Sequence, residues 1–171
     1  MKTIGLYGWS GSGKTDLTCR LIKYFVKKNI VVSTFKHTHH NVEIDKKGKD
    51  SYLHRESGAR EVMLGGKNNW ALIHRGIKNE IFEFNELIKK FSKENDLLII
   101  EGYKKLDIPK IELYHSKINK PLISNKNSKT IAIVYDVIDE KIENSDLPTF
   151  DFKNTKDIGK FIFKYLKLDE K

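Results

Sequence analysis

The sequence predicts a single α/β domain, residues 1–171, with a mostly parallel β-sheet flanked by helices. Three observations predict this class. Residues 2–7 form a short apolar run that ends at a glycine-rich loop, which is typical of a buried strand. An amphipathic segment follows at 14–28, and residues 31–36 are rich in β-branched side chains. A strand, a helix and a second strand in this order connect parallel neighbours in a sheet, and the length of 171 residues suits one domain.

The first helix is predicted over residues 14–28 because apolar side chains recur at helical spacing. Leu17, Leu21, Tyr24 and Phe25 fall on one face, and lysines occupy the other face and the C-terminal end. Cations at the end of a helix interact favourably with its dipole. This segment is therefore expected to pack one side against the sheet.

The middle of the chain mixes a polar loop with short elements. Residues 37–50 are polar and show no periodicity, which predicts a long loop of the kind that is often functional. Gly65-Gly66 lies between two short strand-like runs and predicts a hairpin turn. The elements predicted here are a helix at 51–57 that ends at Gly58, strands at 61–64 and 70–74, and a helix at 85–93.

The C-terminal half is predicted to complete the sheet and add a last helix. Strands are predicted at 97–100, the most apolar run, and at 110–114 and 130–135. Asn154 is predicted to cap the final helix, with Asp157 at its third position. The side chains expected to face inward are Ile158, Phe161, Ile162 and Tyr165.

Composition limits the classes of function. The net charge is +9, but the lysines are scattered and do not alternate with aromatic residues, so neither a nucleic-acid partner nor a membrane partner is expected. No apolar run approaches the roughly 20 residues that cross a bilayer. Residues 1–7 are predicted to form the first strand, so no signal peptide is expected. The single cysteine, Cys19, cannot form an internal disulfide. A cytoplasmic protein is expected.

The loop at residues 8–15 matches the P-loop pattern G-x-x-x-x-G-K-[ST] and follows a strand as that motif requires. Glycines let backbone N–H groups converge on phosphate oxygens, and the next helix adds its N-terminal N–H groups. Lys14 can reach the β- and γ-phosphates, and the Thr15 hydroxyl can bind Mg²⁺. The sheet is therefore of the P-loop NTPase type. The predicted nucleotide ligands are Gly8, Ser10, Gly11, Ser12, Gly13, Lys14, Thr15 and Asp16.

Glu101 is predicted to be a second residue that holds Mg²⁺, in addition to Thr15. This carboxylate follows the apolar strand 97–100, so it lies at the carboxyl edge of the sheet, where ligands bind in open α/β folds. It could hold Mg²⁺ directly or through water.

A histidine cluster follows the second strand, near the same edge. His37, His39 and His40 could be metal ligands, a proton-transfer set or donors to an anion. No cysteine or acidic residue completes a recognised zinc spacing. Asp45, Gly48 and the run Lys49-Asp50-Ser51 continue the loop with groups that suit phosphate or Mg²⁺.

Taken in order, these motifs resemble the MobB family of molybdopterin-guanine dinucleotide biosynthesis adaptor proteins. The motifs are the P-loop, Lys36-His37-Thr38-His39-His40, Gly48-Lys49-Asp50-Ser51 with the residues after it, Glu101-Gly102-Tyr103-Lys104 and Pro109-Lys110-Ile111-Glu112. The resemblance covers residues 1 to about 114.

The resemblance implies a homodimer that binds GTP and Mg²⁺ and hydrolyses GTP weakly. It also implies that the chain assists the guanylyltransferase that attaches GMP to molybdopterin or its precursor. His37, His39, Lys49, Asp50 and Lys110 would meet the second ligand or the partner. The guanine-reading pattern N-K-x-D is absent, because the run at 125–128 lacks its final aspartate.

Two other functions remain open at this stage. A small-molecule kinase would use the same P-loop, but it needs a lid that brings arginines onto the transferred phosphoryl group, and Arg55, Arg60 and Arg75 form no tight pair. A metal-delivery GTPase would carry a transition metal on the histidines at 37–40. Phosphate transfer to an acceptor would identify the first, and stoichiometric zinc or nickel the second.

Overall fold

The computed structural model describes residues 1–38, 44–76 and 82–169. The chain divides into two compact units, one made of Met1–His37 with Ser92–Lys171 and the other of Thr38–Phe91. Each unit is described by itself. The expectation of one domain over residues 1–171 stays a prediction.

Eight strands and five α-helices are present in the described ranges. The strands are β1 (Lys2–Gly8), β2 (Val32–Lys36), β3 (Glu61–Gly65), β4 (Trp70–His74), β5 (Leu97–Glu101), β6 (Lys110–Tyr114), β7 (Thr130–Tyr135) and β8 (Thr149–Asp151). The helices are α1 (Lys14–Val26), α2 (Asp50–Glu56), α3 (Phe84–Ile88), α4 (Glu140–Glu143) and α5 (Thr155–Leu166). None of these helices is both long and apolar enough to cross a membrane.

The first unit is built on a parallel sheet of six strands in the order β2-β5-β1-β6-β7-β8. Strand β1 lies near the middle, paired with β5 on one side and β6 on the other. Strands β1, β5 and β6 are buried almost throughout. This confirms the mostly parallel α/β sheet expected from the strand–helix–strand order.

Helices α1 and α5 cover one face of the sheet. Leu17, Leu21 and Phe25 of α1 meet Ile158 and Ile162 of α5 in one buried apolar cluster with the central strands. A smaller cluster that includes Tyr114, Leu122, Ile133 and Ile142 packs near β6 and β7. The helical spacing of apolar residues on α1 thus produced the face that the sequence predicted.

The second unit contains α2, α3 and an antiparallel hairpin of β3 and β4. The pairing runs from Glu61 opposite His74 to Gly65 opposite Trp70, and the Gly66 N–H donates to the carbonyl of Asn69 at 2.8 Å. The predicted hairpin is therefore confirmed. The predicted helix at 85–93 is shorter and runs from Phe84 to Ile88, because the chain turns at Lys89 and Lys90 although Phe91 continues the apolar spacing.

The final helix begins as predicted but turns one side chain outward. The Asn154 side chain accepts from the Asp157 N–H at 3.2 Å, which confirms the cap. Tyr165 is 47% exposed, so its inward placement was wrong; Leu166 is buried instead. Gly159 lets the helix approach α1, because a Cβ there would lie 2.5 Å from the Tyr24 ring.

Two short elements, a strand and a helix, were not predicted from the sequence. Strand β8 has three residues, and none of them is buried, so it lacks an apolar signal. Helix α4 has four residues and is set by Asp139, whose side chain accepts from the N–H groups of Lys141 and Ile142. A cap of this kind depends on a local hydrogen bond rather than on periodicity.

Candidate nucleotide-binding site

The glycine-rich loop begins where β1 ends and enters α1 directly, at the carboxyl edge of the central strands. Gly11 and Gly13 have φ angles of 81° and 85°, in the left-handed region that glycine adopts without strain. Gly8 packs so tightly that a Cβ there would lie 2.4 Å from the Leu113 carbonyl oxygen. The loop therefore needs glycine both for backbone conformation and for close packing on β6.

Lys14 spans the loop. Its ammonium donates to the carbonyl of Trp9 at 2.7 Å and to that of Gly8 at 3.3 Å. Burial lowers the pKa of Lys14; Glu101 acts against this, while the charges of Lys104 and Lys36 lower it further. A bound phosphate would relieve the repulsion among these three cations, so the charge distribution suits an anion.

Thr15 and Glu101, the two residues predicted to hold Mg²⁺, are in contact, and their role as metal ligands stays a prediction. The Thr15 hydroxyl donates to Oε1 of Glu101 at 2.9 Å, and Lys36 Nζ lies 3.5 Å from the same oxygen. Two oxygens of one Mg²⁺ octahedron, at 2.0–2.1 Å from the ion, lie about 2.9 Å apart. The pair therefore fits magnesium, with Thr15 and Glu101 as the residues that would hold it.

We expect Thr15→Ala to raise the Mg²⁺ concentration needed for half-maximal nucleotide affinity about 10-fold, because one hard oxygen ligand is lost. Glu101→Gln should act in the same direction by removing the negative charge. The measurement is nucleotide titration across a Mg²⁺ series, with excess chelator as the control condition. An equal loss with and without Mg²⁺ would contradict the metal role.

With this geometry in place, comparison with known proteins identifies the family. Residues 3–136 match the family described as molybdopterin guanine dinucleotide synthesis protein B, MobB. This chain belongs to the MobB family. The match confirms the resemblance expected from the ordered motifs, and it extends beyond residue 114.

Relatives and a solved structure agree with that assignment. The molybdopterin-guanine dinucleotide biosynthesis adapter protein of Haemophilus influenzae is 39% identical over 120 residues, 70% of this chain and 66% of that protein. The protein of the same description from Escherichia coli is 30% identical over 161 residues, 93% of this chain and 90% of that protein. The crystal structure of Bacillus subtilis MobB superposes with a TM-score of 0.78 at 23% identity over 100% of both chains, which confirms the fold.

The remaining residues of the glycine-rich loop differ in environment. Ser10 and Gly11 are exposed, whereas Ser12 is buried and its hydroxyl has no hydrogen-bond partner among the residues that the structure describes. Asp16 forms an ion pair with Arg20 at 2.9 Å, and Arg20 also donates to the Phe152 carbonyl. Asp16 thus helps to orient a side chain that ties α1 to the start of α5.

The histidine loop of this MobB-family chain is only partly described. His37 follows β2, and its ring stacks on that of Tyr103 with centroids 4.2 Å apart. His39 and His40 lie outside the described residues, so their predicted roles stay predictions. Within the ranges that are described, no three His, Cys, Asp or Glu side chains form a group that could hold a metal ion.

Lys49 and Asp50 belong to the second unit. Lys49 is the N-cap residue of α2 and Asp50 is its first residue. Both line an open cavity of about 500 Å³, and the Ser51 hydroxyl in its wall donates to Asp45 at 2.7 Å. Their predicted contact with a second ligand stays a prediction.

Lys110 has an environment that does not suit the ligand role given to it. It is only 2% exposed, and its ammonium donates to the carbonyls of Lys104 at 2.7 Å and Leu106 at 2.6 Å. A buried cation held by two backbone carbonyls supports the turn after β5 rather than contacting a phosphate. Lys110 is therefore better described as a positioning residue.

Two cations beside the loop, Lys36 and Lys104, have no role predicted from the sequence. Lys36 stands opposite Glu101 in the pairing of β2 with β5. Lys104 lies over the ring of Trp9, 4.4 Å from its centroid. The carboxyl-edge rule that identified Glu101 could also have identified Lys36, once β2 was placed beside β5.

A hydrogen-bonded carboxylate joins the ends of β6 and β7. Asp136 accepts from the Ser116 N–H at 2.7 Å and its hydroxyl at 2.9 Å, and its carboxylate lies 2.9 Å from His115. Burial would raise the pKa of Asp136, but the Ser116 hydrogen bonds and the charge of His115 outweigh it and hold the pKa below its ordinary value. The ionised form therefore stabilises the folded state.

We expect the free energy of unfolding to fall as the pH drops below about 5, because the folded protein resists protonation of Asp136 and the unfolded chain does not. Asp136→Asn should be less stable than the wild type at pH 7, with a difference that shrinks by pH 3.5. Urea unfolding at both pH values measures this. Asp107→Asn is the control, since Asp107 is 81% exposed and its ion pair with Lys129 contributes little. A constant deficit for Asp136→Asn would contradict the assignment.

Proposed function

We propose that this chain is a GTP- and Mg²⁺-binding adapter protein in the synthesis of molybdopterin guanine dinucleotide. Membership of the MobB family supports the adapter role. One observation carries the nucleotide part: Lys14 spans the glycine loop while Thr15 and Glu101 meet beside it. Phosphates would lie on the loop, and Mg²⁺ would be held by the Thr15 hydroxyl and the Glu101 carboxylate and would neutralise phosphate charge.

Hydrolysis is proposed to be slow. The chain contains no glutamine that could orient an attacking water as in other P-loop GTPases. In the first unit, Arg20 forms an ion pair with Asp16 and donates to the Phe152 carbonyl. These contacts hold its guanidinium between α1 and the start of α5. Groups of this kind contribute about 10³- to 10⁵-fold to turnover. A turnover above about 1 s⁻¹ without a partner would contradict the slow reaction.

The partners are part of the same proposal. The relatives are named molybdopterin-guanine dinucleotide biosynthesis adapter proteins. On that basis we propose molybdopterin or its precursor as the second ligand and a guanylyltransferase as the enzyme that the adapter assists. We further propose a homodimer that acts in the cytoplasm. A phosphate-rich pair of ligands also agrees with the net charge of +9.

The test is calorimetric titration with GTP and with ATP, each with Mg²⁺, followed by titration of the GTP complex with purified guanylyltransferase. Binding of GTP in preference to ATP, with partner binding strengthened by GTP, is expected. Preference for ATP together with phosphate transfer to a pterin acceptor would favour a small-molecule kinase instead. Failure to bind either nucleotide, alone or with the partner enzyme, would overturn the nucleotide part of the proposal.

A further inference from the structure

Trp9, the second residue of the glycine loop, contacts three lysines. Its carbonyl accepts from Lys14 at 2.7 Å, and its indole ring receives the ammonium of Lys104 at 4.4 Å from the centroid and, farther away, that of Lys120 at 5.8 Å. A cation over an indole face is attracted by the electron-rich ring, and the attraction is weak where water reaches the pair. Lys104 is therefore held close to Lys14, but by a weak interaction that a stronger anion could replace.

The backbone at Lys104 is held by hydrogen bonds from two side chains. The Lys104 carbonyl accepts from the buried ammonium of Lys110 at 2.7 Å and from the Asn127 side chain at 3.3 Å. A second bond from Lys110 to Leu106 secures the same turn. The turn is thus anchored to β6, while the long side chain of Lys104 stays half-buried on the outer side, near Trp9.

Charge balance distinguishes Lys104 from its neighbour Lys36. Lys36 lies 3.5 Å from Glu101, whereas Lys104 forms no ion pair with a carboxylate in the part of the chain that the structure describes. Lys104 is also close enough to Lys14 to lower the pKa of that lysine. An uncompensated cation beside the phosphate-binding lysine favours one more negative group than the loop alone would hold.

We propose that Lys104 binds the terminal phosphate of a nucleoside triphosphate and so distinguishes the triphosphate from the diphosphate. The lysine at this position of a P-loop reaches the β- and γ-phosphates. Lys104 lies on the turn that follows β5, over the ring of Trp9, the residue whose carbonyl accepts from Lys14. In the nucleotide-free state Trp9 holds the ammonium; on binding, the ammonium leaves the indole for the γ-phosphate oxygens. This inference rests on the proposed nucleotide site.

The first experiment compares the affinity for a non-hydrolysable GTP analogue with that for GDP, both with Mg²⁺. Lys104→Ala is expected to reduce the preference for the triphosphate about 10-fold, because a charge-assisted contact to the γ-phosphate is lost. Lys104→Arg should retain most of it. Lys105→Ala is the matched control, since Lys105 is the next residue in the chain and is exposed; it should leave the ratio unchanged.

The second experiment uses the fluorescence of Trp9. The chain has two tryptophans, so Trp70→Phe leaves Trp9 as the only indole. The triphosphate analogue should change the emission of this variant more than GDP does, and the additional change Lys104→Ala should abolish the difference.

The outcomes separate this inference from the proposed function. Binding of both nucleotides with a ratio that Lys104→Ala leaves unchanged would overturn the role of Lys104 and leave the nucleotide site intact. Equal loss of both nucleotides in Lys104→Ala, with the ratio preserved, would also overturn it. Failure of the wild type to bind either nucleotide would overturn both.

Discussion

Lys14→Ala is expected to weaken nucleotide binding about 100-fold or more while the protein remains folded. The ammonium is partly enclosed by the loop, and loss of a charged partner from a desolvated site costs about 2–5 kcal/mol, where 1.4 kcal/mol is tenfold in affinity. Its two hydrogen bonds go to carbonyls of the same loop, so its loss removes no contact between distant elements. Calorimetric titration with GTP and Mg²⁺ measures the effect, and circular dichroism checks the fold.

The matched control is Lys23→Ala. Lys23 lies on the same helix, is exposed and has the same charge, so its removal tests the general effect of one less cation. Its effect should be less than about threefold, because exposed charges are screened by salt. Retention of full GTP affinity in Lys14→Ala would mean that the nucleotide binds elsewhere.

Glu112→Ala is expected to lower the free energy of unfolding by about 3 kcal/mol. Glu112 lies in β6 with no exposed surface, and its two carboxylate oxygens accept from the N–H groups of Ile123 and Ser124, each at 2.7 Å. Removing the carboxylate leaves two backbone donors without this partner, and each unpaired buried group costs about 1–3 kcal/mol. Glu112→Gln keeps one acceptor oxygen and should lose less.

Urea unfolding at neutral pH measures this difference, with Glu94→Ala as the control. Glu94 is an exposed residue of a turn, so its replacement should change stability by no more than about 0.5 kcal/mol. Equal stability of Glu112→Ala and the control would show that water replaces the carboxylate without cost. That result would remove Glu112 from the residues that hold the segment after Pro121, whose carbonyl accepts from the Trp9 indole N–H at 2.9 Å.

The parts of the site that lie within one stretch of chain were predictable from the sequence. The P-loop is defined by residues 8–15 alone, because glycines and a helix start set its backbone conformation locally. Glu101 was predictable because an apolar run places it at the end of a strand. Lys36 and Lys104 were not assigned, since their position depends on the order of the strands, which periodicity does not determine.

The burial of two charged residues in strand β6 could not be predicted from the sequence. Lys110 and Glu112 alternate with apolar residues, a pattern typical of a strand with one face in water. Both are nevertheless buried, because the turn after β5 covers Lys110 and the 122–124 segment covers Glu112. The hydrogen bonds that compensate the burial of these two charges come from backbone groups elsewhere in the chain, which only the tertiary structure brings beside them.

The position of β1 has a consequence for how the protein responds to its ligand. This strand is hydrogen-bonded on both sides, and Ile4 and Leu6 have no exposed surface. A segment in that position exchanges its amide hydrogens only when the whole sheet comes apart. The glycine loop continues directly from β1, so the proposed nucleotide would bind at the end of one of the most protected segments of the sheet. A ligand that binds only the folded state would then raise the stability of the first unit against global unfolding.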